Sequence, residues 1–430
     1  MGLTLPQMVA LSIFVIVYFF IISELVHRTV IALLGAAVMI MSGILTQAKA
    51  ISYIDFNTIG LLVGMMLIVN ITAETGLFNF MAIWSAQKVK ARPVCLMGAM
   101  ALLTAVCSGF LDNVTTVLLT VPVTFAICKK LDISVYPFLL IQIMSSNIGG
   151  TATMIGDPPN IMLSSANPQL TFVAFLQNLG LICIVILAVV FAIFALFYRK
   201  DLTTTDELRQ EVLKMNAREE ITNVPLLKKC LSVLFLVIAG FIFHDYLHAD
   251  NATIALCGAA LLMLMTMARN EKALTEVLSG VEWVTLFFFL GLFVIIGGLV
   301  ETGTITLMAK EAMKATGGDL TMTTMLVLWL SAIASAFIDN IPFVATMIPL
   351  IKDMGNMGIT NLDPLWWALS LGACLGGNGT LIGASANVVV ASLAQAKGIR
   401  ITFGGYTKVG FPLMILSIAI CSVYIYIRYL

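Results

Sequence analysis

The stretch from Ser108 to Asn160 occurs twice in this chain, and the second copy follows the first at a constant spacing. The first copy holds S-G-F-L-D-N around Asp112 and Asn113, then G-G-T-A-T-M-I-G-D-P-P-N from Gly149 to Asn160; the second holds S-A-F-I-D-N around Asp339 and Asn340, then G-G-N-G-T-L-I-G-A-S-A-N from Gly376 to Asn387. The subtractions 339 − 112, 349 − 122, 380 − 153 and 387 − 160 all give 227. Upstream, Glu74-Thr75-Gly76 meets Glu301-Thr302-Gly303, and Asp55-Phe56 meets Glu282-Trp283, in the same register. A period this long means two large duplicated halves rather than a solenoid of small repeats.

Composition decides where such halves can live. With 60% hydrophobic and 11% charged residues and a mean hydropathy of +1.03, the chain lacks the charge a soluble surface needs. An all-α polytopic membrane protein is expected. The 23 basic and 23 acidic residues cancel, which gives no field for a nucleic acid partner. Eight cysteines are scattered without a C-x-x-C pair and read as small buried hydrophobes, so neither a structural metal nor a disulfide framework is expected. The start Met1 to Gln7 has no basic run, so the first apolar segment reads as a retained span rather than a signal peptide. No phosphate-binding G-x-x-x-x-G-K-[ST] occurs.

Apolar runs long enough to cross a bilayer lie near 6–24, 29–46, 58–75, 136–166 and 172–198, and again near 229–247, 252–268, 284–302, 364–394 and 406–428. Between the third and fourth run of each half, the D-N motif and a proline (Pro122, Pro349) interrupt the pattern. Segments 94–130 and 322–352 therefore read as re-entrant hairpins, and 136–166 and 364–394 as helices broken at the midplane. Five crossings per half is odd, so the repeats 1–198 and 229–430 are expected in inverted topology, joined by a cytoplasmic linker 199–228. Lys88, Lys90, Arg92, Lys129 and Lys130 place the first hairpin on the cytoplasmic side. Lys310, Lys314 and Lys352 run against that rule in the second half. The linker, with charges of both signs, reads as solvated, and residues 77–92 read equally as an interfacial helix or as the end of the third span.

Carboxylates at membrane depth are costly and mark function. Asp112 and Asp339, each followed by an asparagine (Asn113, Asn340) at a hairpin tip, are the first candidates for binding Na+ or H+, with helix capping as an alternative or additional role. The glycines Gly149, Gly150, Gly156, Gly376, Gly377 and Gly383 allow a backbone that exposes polar groups. Thr151, Thr153, Asn160, Asn378, Thr380 and Asn387 add neutral oxygens suited to an ion or a hydroxylated solute. Asp157 breaks the symmetry, since Ala384 stands at its counterpart, and it reads equally as an ion ligand or as a cap for the helix after Pro158-Pro159. Glu74 and Glu301 read as span ends, and His244 with His248 as an interfacial pair.

The motifs S-G-F-L-D-N-V-T-T, N-I-G-G-T-A-T-M-I-G-D-P-P-N-I-M and A-S-A-F-I-D-N-I-P-F-V-A-T-M-I-P-L resemble those of the arsenite permease and NhaD group of the ion transporter superfamily, which also takes in the melanosomal P protein; citrate and dicarboxylate carriers are more distant members. The resemblance implies a homodimer and an elevator in which hairpins and broken helices move against a rigid scaffold. Dicarboxylate carriers have Ser-Asn-Thr at the hairpin tips, where this chain has Asp-Asn, and no intramembrane Lys or Arg is expected to offset the added charge. The expected function is therefore cation-coupled secondary transport of arsenite, antimonite or a similar small hydroxylated solute. Na+/H+ exchange and dicarboxylate symport are the alternatives. An intramembrane aspartyl protease is the reading from another class, disfavoured because Gly156-Asp157 lacks the upstream glycine of G-x-G-D. No cofactor is expected beyond the coupling Na+ or H+, a separate ATPase subunit is left open as a partner, and the bacterial or archaeal cytoplasmic membrane is the expected location.

Overall fold

A computed structural model describes residues 3–23 and 25–430, apart from the side chain of Asp245. Met1, Gly2 and Glu24, which fall in the expected start and first span, lie outside the described residues. All regular secondary structure among the described residues is helical, with no strand among them. The first half contains α1 (Leu5–Ser23), α2 (Arg28–Met41), α3 (Gln47–Ser52), α4 (Phe56–Ala73), α5 (Leu77–Lys88), α6 (Pro93–Phe110), α7 (Asn113–Leu131), α8 (Tyr136–Thr151), α9 (Pro158–Ala166) and α10 (Phe172–Tyr198). The linker carries α11 (Asp206–Leu213) and a 3₁₀ turn, Ala217–Glu220. The second half follows as α12 (Val224–Ile242), α13 (His244–Leu247), α14 (Asn251–Met267), α15 (Glu271–Ser279), α16 (Trp283–Glu301), α17 (Thr304–Thr316), α18 (Leu320–Phe337), α19 (Asn340–Asn356), α20 (Asp363–Gly376), α21 (Ser385–Ala396) and α22 (Phe403–Tyr429).

Local chemistry places the ends of these helices. Asp55 accepts from the amides of Asn57 and Thr58 to start α4, and Thr171 and Thr402 cap α10 and α22. Gly76 and Gly303 sit at φ of 75° and 73°, left-handed backbone that a side chain resists, and each turns the chain out of a long helix. That turn makes α5 a helix of its own rather than the end of α4. Pro122 and Pro349 lie inside α7 and α19, which run on through them. The only breaks in the two hairpins are Leu111-Asp112 and Ile338-Asp339.

Among the described residues, nine helices are long and apolar enough to cross a membrane: α1, α4, α6, α7, α10, α12, α16, α18 and α22. By length, hairpin helices α6, α7 and α18 match α1, α4, α12 and α16 at 18 or 19 residues, while α2 and α14, read from the sequence as crossings, have only 14 and 17. At 1.5 Å per residue, 14 residues extend ~21 Å, short of the ~30 Å of a bilayer core. Most of the linker's charged side chains are exposed, as a solvated segment requires, but the segment is also anchored: Gln87 donates to the Met215 carbonyl at 2.5 Å, Thr222 N to the Thr75 carbonyl at 3.1 Å, and Val212 is buried. It straps the ends of α4 and α5.

Glycine contacts carry the packing, and they recur between the halves. The α8 helix meets α6 where Gly149 faces the backbone of Ala105, and α20 meets α18 where Gly376 faces that of Ala332. Small residues let backbones approach where lipid supplies no hydrophobic drive. The short helices follow a second register. Ala32 and Gly35 of α2 align with Ala255 and Gly258 of α14, since 255 − 32 and 258 − 35 both give 223. Across that register, Gly64 of α4 packs on Ala255 and Gly291 of α16 on Ala32, so each half's long helix is clasped by the other half's short one. The α9 helix packs on α19, and α21 on α7, which interlocks the halves around the helix breaks. At the centre, α8 and α20 are buried along almost their whole length.

Candidate functional site

The two helix breaks are built alike. Ser108 donates to the Ser146 carbonyl at 2.7 Å, and Ser335 to that of Ala373 at 2.6 Å. Thr153 and Thr380 donate to the carbonyls of Gly109 and Ala336. Asn160 Nδ2 lies 3.3, 3.2 and 2.9 Å from the carbonyls of Gly150, Thr151 and Thr153, and Asn387 Nδ2 lies 2.7 and 2.9 Å from those of Gly377 and Thr380. A helix interrupted in a low-dielectric interior must have its freed carbonyls satisfied, and these asparagines do so from one turn into the next helix. Asn147 then joins the two breaks, donating to Asn378 Oδ1 at 2.9 Å and Asn387 Oδ1 at 3.0 Å. Thr151 donates to the Asn147 carbonyl at 2.6 Å. The six residues singled out for their oxygens (Thr151, Thr153, Asn160, Asn378, Thr380 and Asn387) thus belong to this frame, and none of them lines the acidic cavity described next. The glycines serve it too: a Cβ on Gly150 or Gly377 would fall 2.6 or 3.0 Å from the carbonyl of Gly156 or Gly383.

A cavity of about 220 Å³ lies where the hairpin tips meet, lined by Asp112, Asn113, Asp157, Asn340, Glu282 and Arg28 together with Thr285, Ser385 and apolar side chains. The tips are not equivalent. Asp112 caps α7, accepting from the amide and hydroxyl of Thr115 at 2.8 and 2.5 Å. Asp339 is ion-paired with Arg28 and accepts from the Ser385 hydroxyl at 3.1 Å. Asp157 is almost fully buried at 1% exposure, and its carboxylate makes no capping bond to α9. Both its oxygens instead accept from Asn340 Nδ2, at 3.2 and 3.1 Å, which removes the capping alternative.

Arg28 overturns the expectation that no basic residue offsets the tips. Its guanidinium also donates to Ser385 Oγ at 2.9 Å and lies 5.2 Å from the centroid of the Phe288 ring. It was missed because one arginine before an apolar run looks like an ordinary span boundary, and α2 falls outside the 227 register. Glu282 was aligned with Asp55 in the repeat but not singled out as a site residue. Asp55 spends its carboxylate on the α4 cap and on Ser165 at 2.8 Å, whereas Glu282 makes no capping bond and meets Thr285 Oγ1 at 3.1 Å. Glu74 and Glu301 stay at helix ends. The Glu301 carboxylate pairs with Lys49, and this hydrogen bond is the main reason the Lys49 ammonium is held above its ordinary range. Among the described residues, no cluster of three His, Cys, Asp or Glu side chains forms a metal site.

Residues 18–372 match the profile described as "Citrate transporter" (CitMHS). The chain belongs to the citrate transporter family. This family member is 41% identical to an uncharacterized transporter of Mycobacterium tuberculosis over 98% of this chain and 99% of that protein, and 38% identical to a 46 kDa membrane protein of Mycobacterium leprae over 99% of each. It is 33% identical to the human P protein, matching 98% of this chain and 60% of that one. Among solved structures, the YdaH transporter of Alcanivorax borkumensis has a similar fold, with a TM-score of 0.57, 16% identity and coverage of 88% and 87% of the two chains. The protein is a multi-pass membrane transporter of the ion transporter superfamily, not an enzyme.

Proposed function

We propose that this protein is a secondary transporter of the bacterial cytoplasmic membrane that couples H+ or Na+ to the movement of a small hydroxylated solute, with arsenite and antimonite the first candidates. The observation that carries this reading is the cavity of about 220 Å³ at the two hairpin tips, with Asp112, Asp157 and Glu282 around neutral donors and acceptors. Three carboxylates against one guanidinium already paired with Asp339 favour a cation and oppose an unaccompanied anion such as citrate. At ~30 Å³ per water, such a volume holds about seven waters, enough for a small hydroxylated solute beside a cation that has exchanged most of its water for the carboxylates. Asn113, Asn340, Thr285 and Ser385 offer the neutral hydrogen bonds that a hydroxylated solute uses. An inverted arrangement of the halves suits this reading, with the hairpins and broken helices moving as one elevator unit in each protomer of a dimer.

Na+/H+ exchange is the second reading, favoured by the same carboxylates, since an acidic cavity can serve cations alone. Proteoliposomes separate the readings. Arsenite and antimonite accumulation driven by an imposed Na+ or H+ gradient supports the first; gradient-driven cation exchange with no dependence on added solute supports the second. Accumulation of citrate, with no uptake of the hydroxylated solutes, would overturn the leading proposal.

A further inference from the structure

A second cavity, of about 380 Å³, adjoins the acidic one. Its walls are mostly apolar, from α1, α18 and α21, and it shares with the acidic cavity only Arg28, Ser385 and Val389. Three side chains, one cationic, one hydroxyl and one apolar, thus face both spaces. Arg28 is the first residue of α2, Asp339 is the tip between α18 and α19, and Ser385 is the first residue of α21. One guanidinium thus fastens three elements from both halves through the Arg28–Asp339 ion pair and the 2.9 Å bond to Ser385 Oγ, while the Phe288 ring of α16 lies along it. A planar guanidinium held at one edge and flanked by an aromatic ring has few ways to step aside while both anchors hold. Among the described residues, the opposite half has no such fastening. In the 223 register Arg28 corresponds to Asn251, whose Nδ2 meets only the Met154 sulfur at 3.4 Å and whose buried Oδ1 has no hydrogen-bond partner.

We propose that Arg28 is the gating residue of the transport cycle: its guanidinium, clamped by Asp339 and Ser385, closes the passage between the larger apolar cavity and the acidic cavity. Release of the clamp lets the Asp339 tip and the start of α21 part from the start of α2. The gate is charged on one side of the molecule only, so access to the acidic cavity from that side depends on an ion pair, and from the Asn251 side does not.

Thiol reactivity tests this without knowing the solute. Single cysteines replace Met66, which lines the acidic cavity, and Ile382, which lines the larger one, in a chain whose eight native cysteines are alanine. Their rates of reaction with a small charged methanethiosulfonate are measured in purified protein. Arg28→Ala removes the clamp outright and Asp339→Asn removes its ion pair while leaving a neutral acceptor, so the first is expected to raise the Met66→Cys rate at least tenfold and the second to raise it severalfold, each leaving the Ile382→Cys rate within about twofold. Arg28→Lys, which keeps a cation there, is expected to stay nearer the unaltered chain. Equal rates at Met66→Cys with and without the clamp would overturn the proposal. So would parallel acceleration at both positions, which marks general loosening. Asp339→Asn, shape-conserving at the tip, supplies the answer if Arg28→Ala fails to insert.

Discussion

Replacing Asn160 by alanine tests whether the frame around the broken helix stands on its asparagine. The amide has two protons and three carbonyls within 3.3 Å, so it satisfies two at a time, and its Oδ1 accepts from Ser370 Oγ at 2.6 Å. Alanine orphans two carbonyls and one hydroxyl in a fully buried setting. An unsatisfied buried polar group costs about 1–3 kcal/mol, so three cost roughly 3–9 kcal/mol, with the lower part of that range expected once neighbours relax. An unfolding entropy of ~2.1 cal/mol/K per residue over a chain of this length makes each kcal/mol worth about 1 °C, which predicts a melting temperature lowered by roughly 3–6 °C. Ser370→Ala removes one bond and is expected to cost about 1 kcal/mol. Because the two residues share that bond, the double variant is expected to melt with Asn160→Ala rather than below it. Thermal unfolding followed by fluorescence-detected size exclusion in detergent reads all three. An Asn160→Ala protein melting within about 1 °C of the unaltered chain would refute the argument.

Gly149→Ala and Gly376→Ala should each cost about 1–3 kcal/mol by overpacking, because the new methyl meets backbone atoms of Ala105 or Ala332 that cannot turn aside, while Gly109→Ala, with its nearest contact at 3.4 Å, should melt like the unaltered chain. Asp157→Asn keeps an acceptor for Asn340 and caps nothing, so expression and melting should hold while the Na+ or H+ dependence of transport shifts; an unshifted dependence means that Asp157 is structural. Glu282→Gln should weaken the apparent cation affinity, whereas Asp55→Asn, at the repeat-related cap, should leave it unchanged and affect only stability; initial rates against cation concentration measure both.

The duplication made much of the architecture legible. Motifs repeated at 227 mark both pairs of helix breaks, and Asp112, Asn113, Asp157 and Asn340, chosen as polar residues at those breaks, do line one cavity. What stayed hidden depends on packing between the halves. The threonines and asparagines of the glycine-rich stretches looked like ligands, but the side-chain donors of Asn160 and Asn387 satisfy the carbonyls freed by the helix breaks, and those of Thr153 and Thr380 tie the breaks to the Gly109 and Ala336 carbonyls of α6 and α18. Arg28 lies 311 residues from Asp339 in sequence, in a helix of different register, and no local pattern links them. The α5 break could have been read: Glu-Thr-Gly recurs at 74–76 and 301–303, and both glycines adopt the left-handed turn that ends the long helix.

The central claim is that carboxylates in the acidic cavity couple a cation gradient to solute movement. Its most direct test is arsenite and antimonite accumulation in proteoliposomes under an imposed Na+ or H+ gradient, for the unaltered chain beside Asp112→Asn. An amide keeps an acceptor for the Thr115 amide but removes the charge, so fold and insertion are expected to survive. Uphill accumulation is expected for the unaltered chain and none for Asp112→Asn, which would at most equilibrate solute across the membrane. Equal uphill accumulation by both, with the same cation dependence, would contradict the claim.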